Sequence, residues 1–236
     1  MTKVMYGKDG GPMRRKFGAL ILVVFAVFLL QNTAPVSMAQ TPAQYDAEGL
    51  YTYAEQAVFY VRAFREDGTV KDVGSGFLIQ PDGTAITAYH VVEGAARLVC
   101  VRNDGVEAVC RVLVFDEVAD TAVLKLPSPG KDNPYPYLSL RTGPVKHGEK
   151  VFAIGYPLKE TKIITEGIVN APGVAINGRK RILMSATLVN GMSGGPLIDQ
   201  DGYAAGLLSG SLRTMNGIHL AVDAETVKRV VSRTGM

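Results

Sequence analysis

Short runs of β-branched and aromatic residues, cut by turn residues and split into two sets by a proline-rich stretch, constrain this chain more than any other feature. In the first set, Val58 to Phe64, Val73 to Ile79, Ala85 to Ala88, Ala96 to Val101, Glu107 to Phe115 and Thr121 to Leu126 read as strands. Turns are expected at Arg65-Glu66-Asp67-Gly68 and Pro81-Asp82-Gly83. Pro127 to Pro136 holds four prolines and reads as a linker. The second set comprises Lys150 to Gly155, Lys162 to Ala171, Lys180 to Thr187, Pro196 to Asp199, Tyr203 to Ser209 and Gly217 to Val222. Asp199-Gln200-Asp201-Gly202 marks a hairpin turn within it. Ala224 to Arg233 then shows helical spacing, with Val227, Val230 and Val231 on one face. This pattern predicts an all-β chain of two six-stranded antiparallel β-barrels followed by a C-terminal helix. The expected boundaries are residues 57–126 for the first barrel, 127–137 for the linker and 138–236 for the second barrel with its helix.

Ahead of the strands, residues 1–39 read as a signal peptide. Arg14-Arg15-Lys16 is a positive flank, Phe17 to Leu30 is apolar or small throughout, and Ser37-Met38-Ala39 places small residues at a cleavage point after Ala39. The apolar run is short of the about 20 residues a membrane span needs, so cleavage and export are expected. The alternative is an uncleaved anchor that tethers the chain to a membrane and faces it away from the cytoplasm. Arg14-Arg15-Lys16-Phe17 has part of a twin-arginine pattern, but its neighbours fit poorly, and an ordinary export route is expected. Residues 40–56 form a polar N-terminal segment with a short helix expected around Tyr45 to Ala57.

The leader carries five basic residues (Lys3, Lys8, Arg14, Arg15 and Lys16) against Asp9, so the formal +3 of the whole chain becomes −1 without it. Nothing in the remaining balance points to nucleic acid. The two cysteines, Cys100 and Cys110, flank a hairpin-like stretch with an Asn103-Asp104-Gly105 turn. In an exported protein that spacing fits a disulfide; two buried thiols fit it as well. No matching set of His and Cys accompanies them, which argues against zinc, and no metal or other cofactor is expected.

Three segments carry chemistry. Asn190-Gly191-Met192-Ser193-Gly194-Gly195-Pro196 is a glycine-rich turn around one hydroxyl. A serine attacks only when a neighbouring base takes its proton, and the resulting oxyanion needs aimed N–H donors. Glycines allow the backbone N–H groups of Gly191 and Ser193 to converge as an oxyanion hole. Taken alone, the turn also fits an ordinary hairpin with an incidental serine. Ile86 to Val92 ends an apolar run on His90, whose imidazole titrates near neutral pH and suits a general base. Ala119 to Leu126 begins with Asp120, which competes with Asp116 and Glu117 for the role of orienting carboxylate.

Together these segments resemble the trypsin-like serine peptidases, and most closely their HtrA-type branch. The resemblance rests on Gly74-Ser75-Gly76-Phe77-Leu78-Ile79, the His90 and Asp120 segments, Ala153-Ile154-Gly155-Tyr156-Pro157, the Ser193 turn and Gly217-Ile218-His219-Leu220-Ala221-Val222. It runs in order from about Ala57 to the C-terminus. It implies a trypsin-like fold and a triad of His90, Asp120 and Ser193, in that chain order. It implies unfolded or extended polypeptide as substrate, and assembly as a homotrimer is a further expectation. By resemblance Thr187 lies at the base of the substrate pocket, and Leu208, Ser209, Gly210 and Ser211 form its wall and pair with substrate backbone. Ser209 is also expected to contact Asp120. Thr187 has no charge, which argues against cleavage after Lys or Arg and for small or medium apolar residues. His219 either lines the pocket and favours an acidic residue, as in glutamate-specific relatives, or is packed or on the surface. His147 reads as a loop residue.

The chain departs from the family pattern in three ways. Met192 stands where Asn or Asp is usual, Tyr89 replaces a small residue before the histidine, and no peptide-binding PDZ module is expected after the helix. An inactive descendant that binds peptides or unfolded chains is the alternative reading.

Overall fold

The computed structural model describes residue 1 and residues 44–130, 133–212 and 214–235. Pro42–Met236 form one compact unit. The expected leader, with its apolar run and its cleavage point after Ala39, lies outside the described residues. No helix among the described residues is long and apolar enough to cross a membrane.

Twelve strands build two closed barrels. β1 (Val58–Phe64), β2 (Val70–Leu78), β3 (Thr84–Thr87), β4 (Arg97–Val101), β5 (Glu107–Asp116) and β6 (Thr121–Lys125) close in the order β1-β2-β3-β6-β5-β4. β7 (Lys150–Leu158), β8 (Thr161–Ile176), β9 (Arg179–Met184), β10 (Pro196–Asp199), β11 (Ala204–Ser211) and β12 (His219–Asp223) close in the order β10-β11-β12-β9-β8-β7. Read around each ring, the second barrel repeats the connectivity of the first. Closure removes the unpaired edges that a short-stranded sheet would otherwise expose.

Interior-facing side chains fill each barrel. Phe59, Phe77, Ile86 and Leu124 pack in the first, joined by Phe152 and Ile154 of β7, which runs against β1 and β2. Smaller residues fill the second, including Val151, Ala153, Ile182, Met184, Leu197 and Ala205. Three helices complete the unit: α1 (Ala47–Ala54), continued by a 3-10 turn at Glu55–Ala57, the short α2 (Tyr89–Val92), and α3 (Ala224–Val231), continued by a 3-10 turn at Ser232–Thr234. α3 starts where Asp223 accepts the Thr226 N–H at 3.0 Å. Glu225 in its first turn and Lys228 and Arg229 in its last suit the helix dipole. Its buried face carries Ala224, Val227 and Val230.

Several strand limits differ from expectation, among them β2, which begins at Val70, and β7, which runs on to Leu158; in β8 and β9 the pairing gives the reason. β8 continues to Ile176 because register shifts after Val169 and Ala171 absorb extra residues and let pairing with β9 resume. β9 stops at Met184, since Ser185 turns both its N–H and its hydroxyl to Ile168 and the chain then leaves the sheet. Cys100 and Cys110 form a disulfide, with Cα atoms 6.1 Å apart. They are diagonal across the hairpin, Cys100 opposite Ala108 and Cys110 opposite Leu98.

Candidate active site

β3 ends at Thr87 and the chain turns at once into α2, which carries His90. Asp120 closes the turn between β5 and β6, donating its N–H to Glu117 O at 3.2 Å. It adopts φ 56°, in the left-handed region that costs non-glycine residues energy but that Asp tolerates better than most. This backbone turns the carboxylate towards the ring. His90 Nδ1 lies 2.9 Å from Asp120 Oδ1 and 3.1 Å from Oδ2. The His90 backbone N–H donates to Oδ1 at 3.1 Å, and Ser209 Oγ donates to Oδ2 at 2.5 Å.

These contacts favour the charged form of both groups. The bond from Asp120, which outweighs the effect of burial, raises the His90 imidazole above its ordinary value. Burial opposes the charge on Asp120, yet the bonds from the His90 ring, Ser209 and the His90 N–H hold the carboxylate below its ordinary range. Asp116 is occupied elsewhere, accepting the Ala119 N–H at 2.8 Å and pairing with Arg233 at 2.9 Å. Of the three acids near this turn, Asp120 is the one that meets the imidazole. Tyr89 turns away and stacks on Phe115 with ring centroids 4.8 Å apart, which explains how a large residue is accommodated before His90.

The Ser193 turn is held from both barrels. Ser75 of β2 is the hub: its N–H donates to Ser193 O, its hydroxyl donates to Gly191 O, and the same hydroxyl accepts the Tyr156 N–H, each at 2.8 Å. Thr87 Oγ1 donates to Ser75 O at 2.7 Å. On the other side, Gly194 N–H donates to Leu208 O at 2.8 Å and Leu208 N–H to Gly195 O at 2.9 Å. Two glycines are obligatory here. Gly191 has φ 92°, and a Cβ there would fall 2.4 Å from Tyr156 O. Gly194 has φ 90°, and its Cβ would fall 2.1 Å from Ser75 O and 2.4 Å from Thr87 Oγ1. Thus the turn lies directly against the strand and loop that lead to His90.

The N–H groups of Gly191 and Ser193 have no acceptor among the described residues. Ser193 Oγ likewise makes no hydrogen bond there, and since His90 engages Asp120 through Nδ1, Nε2 is the nitrogen left to take a proton. Met192 is fully buried in the second-barrel core, so its side chain anchors the turn from below. Sequence reasoning missed the roles of Ser75, Thr87 and Met192. The only signal was a serine flanked by Gly74 and Gly76 in an otherwise apolar strand.

Thr187 is exposed, and its carbonyl accepts Thr165 Oγ1 at 2.8 Å. Leu208 is fully buried, and both its backbone groups are engaged by the Ser193 turn. A register shift between Leu208 and Gly210 leaves Ser209 out of the pairing and free to reach Asp120. Gly210 takes φ 141°, and Ser211 pairs with His219 across β11 and β12. His219 is 8% exposed; its Nδ1 accepts the Leu188 N–H at 3.3 Å and lies 2.8 Å from Ser211 Oγ. Burial lowers its pKa, so the ring is neutral at neutral pH. His147 sits in a loop with Nδ1 2.8 Å from Asn170 O.

Two closed six-stranded barrels with these residues in the loops between them define the trypsin-like fold. A family profile described as a trypsin-like peptidase domain matches residues 74–207, more than half of the chain, and the chain belongs to that family. It is similar to "Serine protease HTRA1" of Xenopus laevis, 32% identical over 169 residues, covering 68% of this chain and 36% of that protein. It is also similar to "Probable periplasmic serine endoprotease DegP-like" of Pseudomonas savastanoi pv. phaseolicola, 35% identical over 142 residues, covering 59% of this chain and 29% of that protein. The match to these curated relatives thus spans roughly a third of their length. The crystal structure of the serine endoprotease from Yersinia pestis superposes with a TM-score of 0.70 at 23% identity, covering 80% of this chain and 66% of that one.

Proposed function

We propose that this chain is a serine endopeptidase that cleaves polypeptides by acyl transfer and acts outside the cytoplasm. The observation that carries this reading is the joint presence of an oriented imidazole and two unengaged N–H groups. His90 is fixed by Asp120, and the Gly191 and Ser193 N–H groups have no acceptor among the described residues. In the reaction, His90 Nε2 takes the Ser193 proton as Oγ attacks the scissile carbonyl. Asp120, already ionised and triply bonded, stabilises the imidazolium that forms. The carbonyl oxygen becomes an oxyanion held by the two N–H groups, each worth about 3 kcal/mol at the transition state. His90 then returns the proton to the leaving amine, and water, activated by the same imidazole, clears the acyl-enzyme. No step needs a metal.

A fluorophosphonate probe tests this directly. The wild-type chain labels at Ser193 and Ser193→Ala does not, with peptide hydrolysis falling about 10⁶-fold. Equal labelling of the two forms would instead support the inactive, peptide-binding reading. Export is tested by N-terminal sequencing of mature material: Gln40 at the start means cleavage after Ala39, whereas Met1 or Thr2 means an anchor.

Two specificities compete. The uncharged Thr187 supports small or medium apolar residues at the cleavage point. A second reading is favoured by His219: with Nδ1 accepting the Leu188 N–H, the neutral ring carries its proton on Nε2, a donor that suits a glutamate or glutamine side chain. A peptide library separates them, and His219→Val abolishes any preference for Glu or Gln while leaving an apolar preference intact.

A further inference from the structure

A second charged site lies outside the residues proposed for catalysis and substrate binding. The turn between β8 and β9, the turn between β5 and β6, and α3 with its following 3-10 turn enclose a cleft of about 310 Å³. Five cations line it: Arg179, Lys180, Arg181, Arg229 and Arg233. The single acid on its wall is Asp116, already paired with Arg233. This density is not general basicity, because the chain without its leader is slightly acidic. We propose that this cleft binds a phosphate-class oxyanion, free in solution or carried by a phospholipid headgroup.

Arg181 carries the argument. It is only 4% exposed, yet its guanidinium makes one hydrogen bond, from Nη1 to Lys180 O at 2.9 Å. Nε and Nη2 find no acceptor among the described residues, neither is sealed from solvent, and the residue lines the cleft. A buried cation without a facing anion is unfavourable, and here burial pulls the group below its ordinary pKa against only distant help from Asp120 and Asp223. The other cations are loosely committed. Arg229 donates to Thr226 Oγ1 at 2.8 Å, and Lys180 Nζ stands 3.6 Å from Asp223 Oδ2. The Arg179 side chain makes no hydrogen bond or ion pair among the described residues and is exposed. Guanidinium groups present paired N–H donors that match two oxygens of one phosphate, and several around one cleft favour a multiply charged anion over a single carboxylate.

The test titrates the full chain with sodium pyrophosphate by calorimetry at fixed ionic strength. Vesicles of phosphatidylglycerol and of phosphatidylcholine are assayed alongside by co-sedimentation. Saturable one-to-one binding of pyrophosphate is expected, weakened at least tenfold in Arg181→Met and in the double variant Arg179→Ser/Arg229→Ser. The double variant changes only exposed side chains, so it carries the test if Arg181→Met does not fold. Phosphatidylglycerol-specific sedimentation lost in the double variant assigns the headgroup source; pyrophosphate binding without it assigns a free anion. Absence of saturable binding in both arms, or binding unchanged in the double variant, overturns the proposal.

Discussion

The two barrels share one connectivity, and in each the link between the third and fourth strands carries a residue of the proposed triad. Between β3 and β4 that link is α2 with His90; between β9 and β10 it is the Ser193 turn. The links solve opposite problems. Around His90 the backbone satisfies itself, with Val91 N–H on Ala88 O and Glu93 N–H on Tyr89 O, and the selectivity lies in where the ring points. Around Ser193 the backbone is kept unsatisfied at two N–H groups, and its carbonyls are tied down instead by Ser75. A base needs an oriented side chain, which a helical turn and a carboxylate supply. An oxyanion hole needs unpaired donors, and that requires positive φ and the absence of Cβ.

Asp120→Asn attacks the first link, and about a 10⁴-fold loss in kcat is expected with the fold retained. In the proposed mechanism neutral His90 is the active form, and the carboxylate raises its pKa, so wild-type activity is expected to fall as pH drops through a value above the ordinary 6.5 of histidine. Removing the carboxylate lowers that pKa, so residual activity in the variant has its acid limb at lower pH. A pH profile unchanged in position would break the pairing. Asp116→Asn serves as the control and keeps kcat within a few-fold.

Gly191→Ala attacks the second link. The added methyl meets Tyr156 O and the φ becomes strained, so the turn moves and the oxyanion donors with it. A loss of about 10²–10³ in kcat is expected, with KM less affected. Equal loss in KM would mean that the turn chiefly binds substrate.

Next come the two fasteners. Replacing both Cys100 and Cys110 by Ser opens a short loop confined to the first barrel and costs about 3 kcal/mol of stability, read by urea unfolding, with kcat nearly unchanged. Ser75→Ala leaves the buried Tyr156 N–H and Gly191 O without partners and costs about 1–3 kcal/mol. Unlike the cysteine change, it also lowers kcat, because the lost bonds hold the nucleophile turn. If both changes affected only stability, the contrast between a local and a bridging fastener would fail. The smallest effect belongs to Ser209→Ala, which removes one of the bonds to Asp120 and lowers kcat about fivefold, an equivalent of about 1 kcal/mol.

Strand positions were legible where turn residues bracket an apolar run: Val58 to Phe64 and Pro196 to Asp199 read with the limits the structure has. β8 was read too short because its continuation depends on bulges, which are settled by pairing with β9 and leave no local mark. The triad segments stood out as motifs, but choosing Asp120 over Asp116 and Glu117 needed a resemblance. What separates them physically is a left-handed φ that no residue type announces. Met192 read as a departure in an oxyanion turn; its burial is a tertiary fact. Arg181 had no distinguishing mark in the sequence: its burial, at 4% exposed on a cleft it shares with Thr226, Arg229 and Val230 of α3, is settled by tertiary packing.

The split of machinery between the halves has a consequence for synthesis. A ribosome releases the strand set bearing His90 and Asp120 first, and the alcohol that would attack arrives only when most of the polypeptide has been translated. Nascent fragments therefore hold a base with nothing to activate. In the reading proposed above, the emerging chain has no means of cutting itself or its neighbours until the later half has folded against the earlier one.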